Sequence, residues 1–299
     1  MKAYDSNIIR NIAVLSHDGA GKTALVESML LMCKGVDAVG RGKDNKHILD
    51  FEPEEINRNV TIQLGMAPCE WNGYKLNFID TPGYSEFCGE ISEALRAADG
   101  LMLVVSAESG IQVDTIRAWQ YGKSLHLPRL VYVNKMDMEN ADFFGSLERM
   151  KELFGKSVMP LQVPIGEGAD FRGIIDIPTM QAYEWVDGER KECEIPDDLK
   201  EKAAEVLDMC MEAAAEGTAR VAVSGDCNGR ADQRVHRVRQ AAFCAGYPGR
   251  HSVERGRGLD FVAAAGFSLD TPRKTGIIEA VLRVSVVESR CQSQAKRST

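Results

Sequence analysis

An α/β fold built on a mostly parallel sheet is predicted by three features of this sequence. Apolar strand-like runs alternate with amphipathic helical runs from Asn11 to Val163. The run Ile12 to Leu15 passes through a tight small-residue loop, Ser16-His17-Asp18-Gly19-Ala20-Gly21-Lys22-Thr23, directly into a helical run from Ala24 to Cys33. Two further strand-like runs each end in a polar tetrapeptide, Asp80-Thr81-Pro82-Gly83 and Asn134-Lys135-Met136-Asp137. Strands that alternate with helices form a sheet covered on both faces, and such sheets take ligands at the carboxyl ends of their strands. All three polar loops fall there.

The elements follow in order. Asn11 to Leu15 reads as a first strand, buried on both faces. Gly35 to Glu55 is polar, carries Gly40 and Gly42 and has no apolar period, so a mobile surface segment is expected. Met66 to Trp71 and Lys75 to Ile79 read as strands joined by the hairpin signal Asn72-Gly73. Glu86 to Ala98 is amphipathic, Leu101 to Ser106 is a buried strand and Gln112 to Lys123 is helical. Arg129 to Val133 is another strand, Ala141 to Phe154 a helix, and Val158 to Val163 a sixth strand-like run. The acidic run Asp197 to Glu216 has the pattern of a solvated amphipathic helix.

Strand, small-residue loop, Gly-Lys-Thr, helix is the layout of a phosphate-binding loop, with Ser16 where the pattern asks for glycine. Successive backbone N–H groups and the positive end of the following helix make a concave anion site, and Gly21 lets the chain approach phosphate oxygens. Lys22 then places its ammonium by the β- and γ-phosphates, and the Thr23 hydroxyl serves as a ligand of Mg²⁺. Asp80, at a strand end, is where a second oxygen donor for Mg²⁺ belongs. Gly83 offers a backbone N–H to the γ-phosphate, which allows this segment to sense hydrolysis. A carboxylate at Asp137 accepts from the N1–H and N2–H₂ of guanine, groups adenine does not present, while the Lys135 stem covers the base plane. Taken alone, each tetrapeptide reads better as an ordinary strand-to-loop polar turn. In this order, at spacings of 58 residues from Lys22 to Asp80 and 54 from Asp80 to Asn134, they describe one nucleotide site.

These motifs resemble the G domain of the translational GTPases, a P-loop NTPase fold, and among them elongation factor G. Arg58-Asn59-Val60-Thr61-Ile62 is similar to the family's Arg-Gly-Ile-Thr-Ile switch segment, with Thr61 matching the threonine that closes over Mg²⁺ and γ-phosphate. Leu161 to Trp185, with Gly166, Phe171-Arg172-Gly173 and Ile174 to Ile177, resembles the start of the subdomain that elongation factor G inserts in its G domain. The resemblance covers residues 8 to about 216. It implies a G domain over 8–165 and the start of the inserted subdomain over 166–216. Nucleotide-binding positions would be Ser16 to Thr23, Asp80 to Tyr84 and Asn134 to Asp137, with Thr23, Thr61 and Asp80 around the metal. Catalytic roles would fall to Lys22, Thr61, Gly83 and Tyr84. The expected activity is GTP hydrolysis coupled to a ribosomal step such as translocation, with GTP and GDP, the ribosome through its rRNA and proteins, and Mg²⁺ as partners. The alternatives are a ribosome-associated GTP/GDP switch that barely hydrolyses, and a truncated fragment without function.

Departures from the family pattern at four positions bear on that expectation. Tyr84 stands where the family has the water-positioning histidine of DTPGH, as in divergent paralogues carrying DTPGY, and a phenol of pKa ~10 is no general base at neutral pH. Asp18 stands at an apolar position and Gly19 where many members carry aspartate, which questions the family's water-excluding gate and monovalent-ion site. Asn59 replaces a glycine, which leaves open how the switch segment turns. His17 matches a family histidine and reads equally as a hydrogen bonder that steadies the loop.

At 299 residues, 44% apolar and 27% charged, the chain can bury a sizeable core. It has no run of 18 apolar residues and its first ten residues lack a signal-peptide pattern, so no membrane is expected as a partner; DNA is not an expected partner either, and the expected location is cytoplasmic. Eight cysteines without a Cys-x-x-Cys pair predict reduced thiols rather than a disulfide frame. The net charge of −8 is the sum of an acidic part, residues 1–216 at −15, and a basic one, residues 217–299 at +7. Of the 14 basic residues in that tail 12 are arginine, periodicity is weak, and the family's guanine-contacting Ser-Ala motif and last strand and helix are not recognisable. A shifted reading frame or a misjoined sequence is the expectation there, against a divergent domain or a basic nucleic-acid-binding tail.

Overall fold

The strand-to-helix alternation folds as the pattern demands. In the computed structural model, which describes residues 3–33, 35, 47–71, 73–155, 158–186, 189–218 and 260–264, β1 (Ile9–Leu15) leads through the phosphate loop into α1 (Lys22–Met32). A short helix α2 (Pro53–Arg58) precedes the hairpin β2 (Gly65–Trp71) and β3 (Tyr74–Asp80). Then follow α3 (Cys88–Ala97), β4 (Gly100–Ser106), α4 (Val113–Ser124), β5 (Arg129–Asn134) and α5 (Phe143–Phe154). The chain continues through β6 (Val158–Pro160), β7 (Gln162–Ile165), β8 (Gly173–Asp176), β9 (Gln181–Val186), β10 (Glu189–Cys193) and α6 (Asp197–Thr218), and β11 (Asp260–Ala264) comes last.

Two sheets result. The larger has the order β2-β3-β1-β4-β5-β11-β6, parallel except for β2. Its central strands are apolar runs such as Leu101 to Val105, all buried, because helices cover both faces. Register sets the site: Val14 pairs with Asp80, Leu15 with Leu103, and Ser106 with Asn134, so the three polar loops leave the same edge. The smaller sheet, β10-β9-β8-β7, is antiparallel throughout. On α6, Ala203, Val206 and Cys210 recur at helical spacing and are buried, with the Cys210 thiol 3.5 Å from the Pro160 carbonyl, so the acidic helix is anchored by an apolar stripe.

Four expectations change. The sixth strand-like run is two strands in different sheets, because the chain turns at buried Leu161 and β6 ends at Pro160, which has no N–H to extend a ladder. Within the segment expected as a mobile surface loop, Asp50 and Glu55 are buried and Pro53–Arg58 is helical, started by Pro53 and by a Glu55 carboxylate that takes the Glu52 N–H at 3.0 Å; residues 36–46 lie outside the described set. Cys33 and Cys69 form a disulfide, contrary to the expectation of reduced thiols, because α1 packs on β2 and brings their Cα atoms to 5.7 Å. Finally, β11 comes from the arginine-rich tail, in which no strand was recognised, and pairs in parallel with β5 on one side and β6 on the other. The remainder of 219–299 lies outside the described residues.

Candidate nucleotide site

The phosphate loop turns through Gly19 (φ 73°) and Gly21 (φ 91°), left-handed positions that side chains rarely adopt. A Cβ on Gly21 would lie 2.5 Å from Asn134 Nδ2, and that amide donates to the Ala20 carbonyl at 2.8 Å. Asn134 thus braces the loop from the end of β5. Gly21 caps α1, whose first turn contains no acidic residue, so no side chain of that turn competes for the first N–H groups of the helix. Lys22 is buried and lies over the loop, its Nζ 3.3 Å from Ser16 Oγ and 3.2 Å from the His17 carbonyl. Burial pulls its ammonium below the usual range, against the opposing pull of Asp80, Asp18 and Asp50.

Asp80 is fully buried at the end of β3, and neither carboxylate oxygen has a well-formed hydrogen bond. Desolvation pushes its pKa up to about 6, with Lys22 and then the neighbouring Thr23 hydroxyl acting in the opposite direction. A buried carboxylate in that position is costly by itself. Alongside this acid, Thr23 Oγ1 lies 3.1 Å from Thr61 Oγ1, and Thr61 donates to Asp50 at 2.9 Å. An orphan carboxylate and two hydroxyls are hard oxygen donors of the kind Mg²⁺ takes together with substrate phosphates. Among the described residues no group of three His, Cys, Asp or Glu could hold a metal ion.

The remaining predicted residues divide by position. Thr81 is buried and donates to the Val14 carbonyl at 2.8 Å, tying the end of β3 to β1, and Pro82 is buried beside it. Gly83 backs onto the loop so closely that a Cβ would lie 2.6 Å from Asp18 Cα and 2.8 Å from Lys22 Nζ. Tyr84 is 40% exposed, and the nearby Asp18 carboxylate raises its phenol above the usual range. Two departures from the family pattern, at 18 and 84, are therefore neighbours. His17 turns away from the mouth, its Nδ1 3.0 Å from Thr115 Oγ1 and its Nε2 3.2 Å from Ser109 Oγ, and burial lowers its pKa. That favours the loop-steadying reading. Lys135 takes a left-handed backbone (φ 60°) and lies 3.7 Å from Glu108; Asp137 is half-buried, while the Met136 side chain is in the core.

The sequence motifs did not reveal Asp50, the brace from Asn134 to Ala20, or Glu55. The Glu55 carboxylate is buried and accepts the N–H groups of Phe51, Glu52, Ile62 and Gln63 at 2.9–3.1 Å. Its available signal was Glu-Pro-Glu-Glu at 52–55, a capping box with proline at the first helical position. Asn59 ends α2 at φ 56°, which answers how the segment turns without glycine, since asparagine tolerates that conformation.

A profile of the elongation factor Tu GTP binding domain matches residues 7–268. The chain belongs to the translational GTPase family. This translational GTPase is 37% identical over 202 residues to elongation factor G of Thermotoga neapolitana, an alignment that takes in 67% of the chain and 29% of that protein. It superposes on the crystal structure of ttk003000868 from Thermus thermophilus with a TM-score of 0.75 and 30% identity, covering 95% of the chain and 40% of the solved one. The chain thus spans less than a third of the elongation factor it matches, and the family match runs into the arginine-rich tail past β11.

Proposed function

We propose that this chain binds GTP and GDP with Mg²⁺ and hydrolyses GTP as the nucleotide-binding part of an elongation factor G-type translation factor. The observation that carries the proposal is Asp80: a fully buried carboxylate, without a well-formed hydrogen bond, near Lys22 and Thr23, the latter 3.1 Å from the Thr61 hydroxyl. A bound cation would supply charge neutralisation at the β- and γ-phosphates. Lys22 and the N–H groups of the loop hold the phosphates, Thr23 and Asp80 are the metal's protein donors, Thr61 closes over the γ-phosphate and Gly83 offers it an N–H. Asp137 selects guanine and Lys135 covers the base. Hydrolysis forms a bond from a water oxygen to the γ-phosphorus, breaks the bond to the β–γ bridging oxygen and releases a proton to solvent or phosphate. The division into a G domain at 8–165, an inserted subdomain from 166 to 216 and a distinct tail, action at the ribosome in a step such as translocation, and a cytoplasmic location belong to the same proposal.

One observation favours the second reading, a switch that hydrolyses little. The Asp18 carboxylate raises the Tyr84 phenol still further above neutral pH, so the residue in the water-positioning place is no general base. Loss of a positioned acid/base group lowers rates on the order of 10²–10⁴-fold. Phosphate release from GTP, with and without ribosomes, separates the two. Ribosome stimulation that Lys22→Ala abolishes supports the enzyme; tight binding without stimulated release supports the switch; no nucleotide binding by a folded chain refutes both.

A further inference from the structure

Three successive residues follow Thr61, and a carboxylate takes the backbone N–H of each. Ile62 and Gln63 donate to Glu55 Oε1 at 2.9 Å, and Leu64 donates to Glu90 Oε2 at 2.9 Å. The two carboxylates come from different elements. Glu55 lies on α2, within the Thr61 segment itself, and its second oxygen closes that segment by taking Phe51 and Glu52 N–H. Glu90 lies in the first turn of α3, the helix that follows the Asp80–Tyr84 loop. An acid in a first helical turn is expected from the helix dipole alone. A dipole, however, does not require the carboxylate to leave its own helix and accept an N–H from residue 64. Leu64 is also the last residue before β2, whose pairing with β3 begins where Gly65 meets Asp80. The bond therefore lies where the Thr61 segment meets the strand that delivers Asp80.

We propose that Glu90 is a positioning residue: by holding the Leu64 N–H it joins the Thr61 segment to the Asp80–Tyr84 loop, so that the two segments facing the γ-phosphate move as one unit. The proposal rests on the nucleotide-site reading above and deepens it. Without the Glu90 acceptor the Leu64 N–H loses a charge-assisted bond, and the Thr61 segment keeps only its contacts to Thr23, Asp50 and Glu55 among those described. A ligand that touches both segments, a nucleoside triphosphate, then gains less from closing them. A diphosphate, which reaches neither Thr61 nor Gly83, does not sense the loss.

The test uses the full chain as wild type, Glu90→Ala and Glu90→Gln, the glutamine keeping an acceptor oxygen. Hydrogen exchange is followed on a peptide spanning residues 60–66 in nucleotide-free protein, and dissociation of a non-hydrolysable GTP analogue is compared with that of GDP. Glu90→Ala is expected to speed exchange and analogue release about 5-fold each, the scale of one hydrogen bond to a carboxylate at a half-buried site, with GDP release changed less than about 2-fold. Glu90→Gln stays near wild type in both. Unchanged exchange in Glu90→Ala overturns the proposal, as does equal acceleration of both nucleotides or a glutamine variant as impaired as alanine. Wild-type protein that holds no guanine nucleotide would sink the nucleotide-site reading instead, and the exchange comparison would still decide whether Glu90 holds Leu64.

Discussion

Gly21 carries two demands at once, a backbone at φ 91° and the Asn134 amide 2.5 Å from where a Cβ would stand. Gly21→Ala therefore combines left-handed strain of about 1–2 kcal/mol with displacement of the brace on Ala20. Chemical unfolding should show a loss of about 2–3 kcal/mol, together with guanine-nucleotide affinity reduced at least about 10-fold; an unaltered midpoint would contradict the packing described. Asp80 presents the opposite case. Its pKa of about 6 means the carboxylate is ionised at neutral pH while buried without a well-formed hydrogen bond. Asp80→Asn should therefore raise the stability of the nucleotide-free chain by about 1–3 kcal/mol while removing the Mg²⁺ dependence of nucleotide binding. The sign follows from linkage: a carboxyl whose folded pKa is raised contributes most below its ordinary value, near 4, and that contribution is lost as pH rises through about 6. Melting temperature against pH, compared between wild type and Asp80→Asn, checks this; a difference that does not grow from pH 4 to pH 7 counts against it. The convergence of Lys22, Asp80, Asn134 and Asp137 was legible because their spacing puts each at or just past the end of a strand. Asp50 and the Asp18–Tyr84 pair were not, because their significance arises only when distant stretches meet.

At the scale of elements, periodicity identified the strands and helices around the site, and the three loops left the sheet where a parallel order places them. It failed where local chemistry outweighed period. Val158 to Val163 reads as one strand in the sequence and falls across two strands in the fold, since burial on every side erases the alternation that would mark a change of sheet. Pro53–Arg58 is too short for a period and is written instead in its caps. β11 presents the same difficulty in a basic, arginine-rich context: five residues, Asp260 to Ala264, identify themselves mainly through the strands they join. Val262 sits between Val131 and Pro160 in that ladder. Val262→Pro should remove a donor from a strand paired on both sides and cost about 3 kcal/mol, read as a lower unfolding midpoint. An unchanged midpoint would show that the tail does not enter the sheet in solution.

Across the whole molecule, the acidic 1–216 and the basic tail meet in one sheet, with β11 lying between β5 and β6. The Ser16–Thr23 loop, the buried Asp80 carboxylate and the Asn134–Asp137 tetrapeptide converge at a single sheet edge, and the segment carrying Thr61 is tied to it through Thr23 and Glu90. No helix among the described residues is long and apolar enough to cross a membrane. The central claim is that this edge holds a guanine nucleotide with Mg²⁺, and equilibrium titration of the full chain with fluorescent GDP and ADP tests it most directly. GDP should bind at least about 100-fold more tightly than ADP, the scale of two hydrogen bonds to a carboxylate, and Asp137→Ala should erase the preference while Lys22→Ala weakens both. Equal affinity for the two bases, or GDP binding unaltered by Lys22→Ala and Asp137→Ala, would contradict the account.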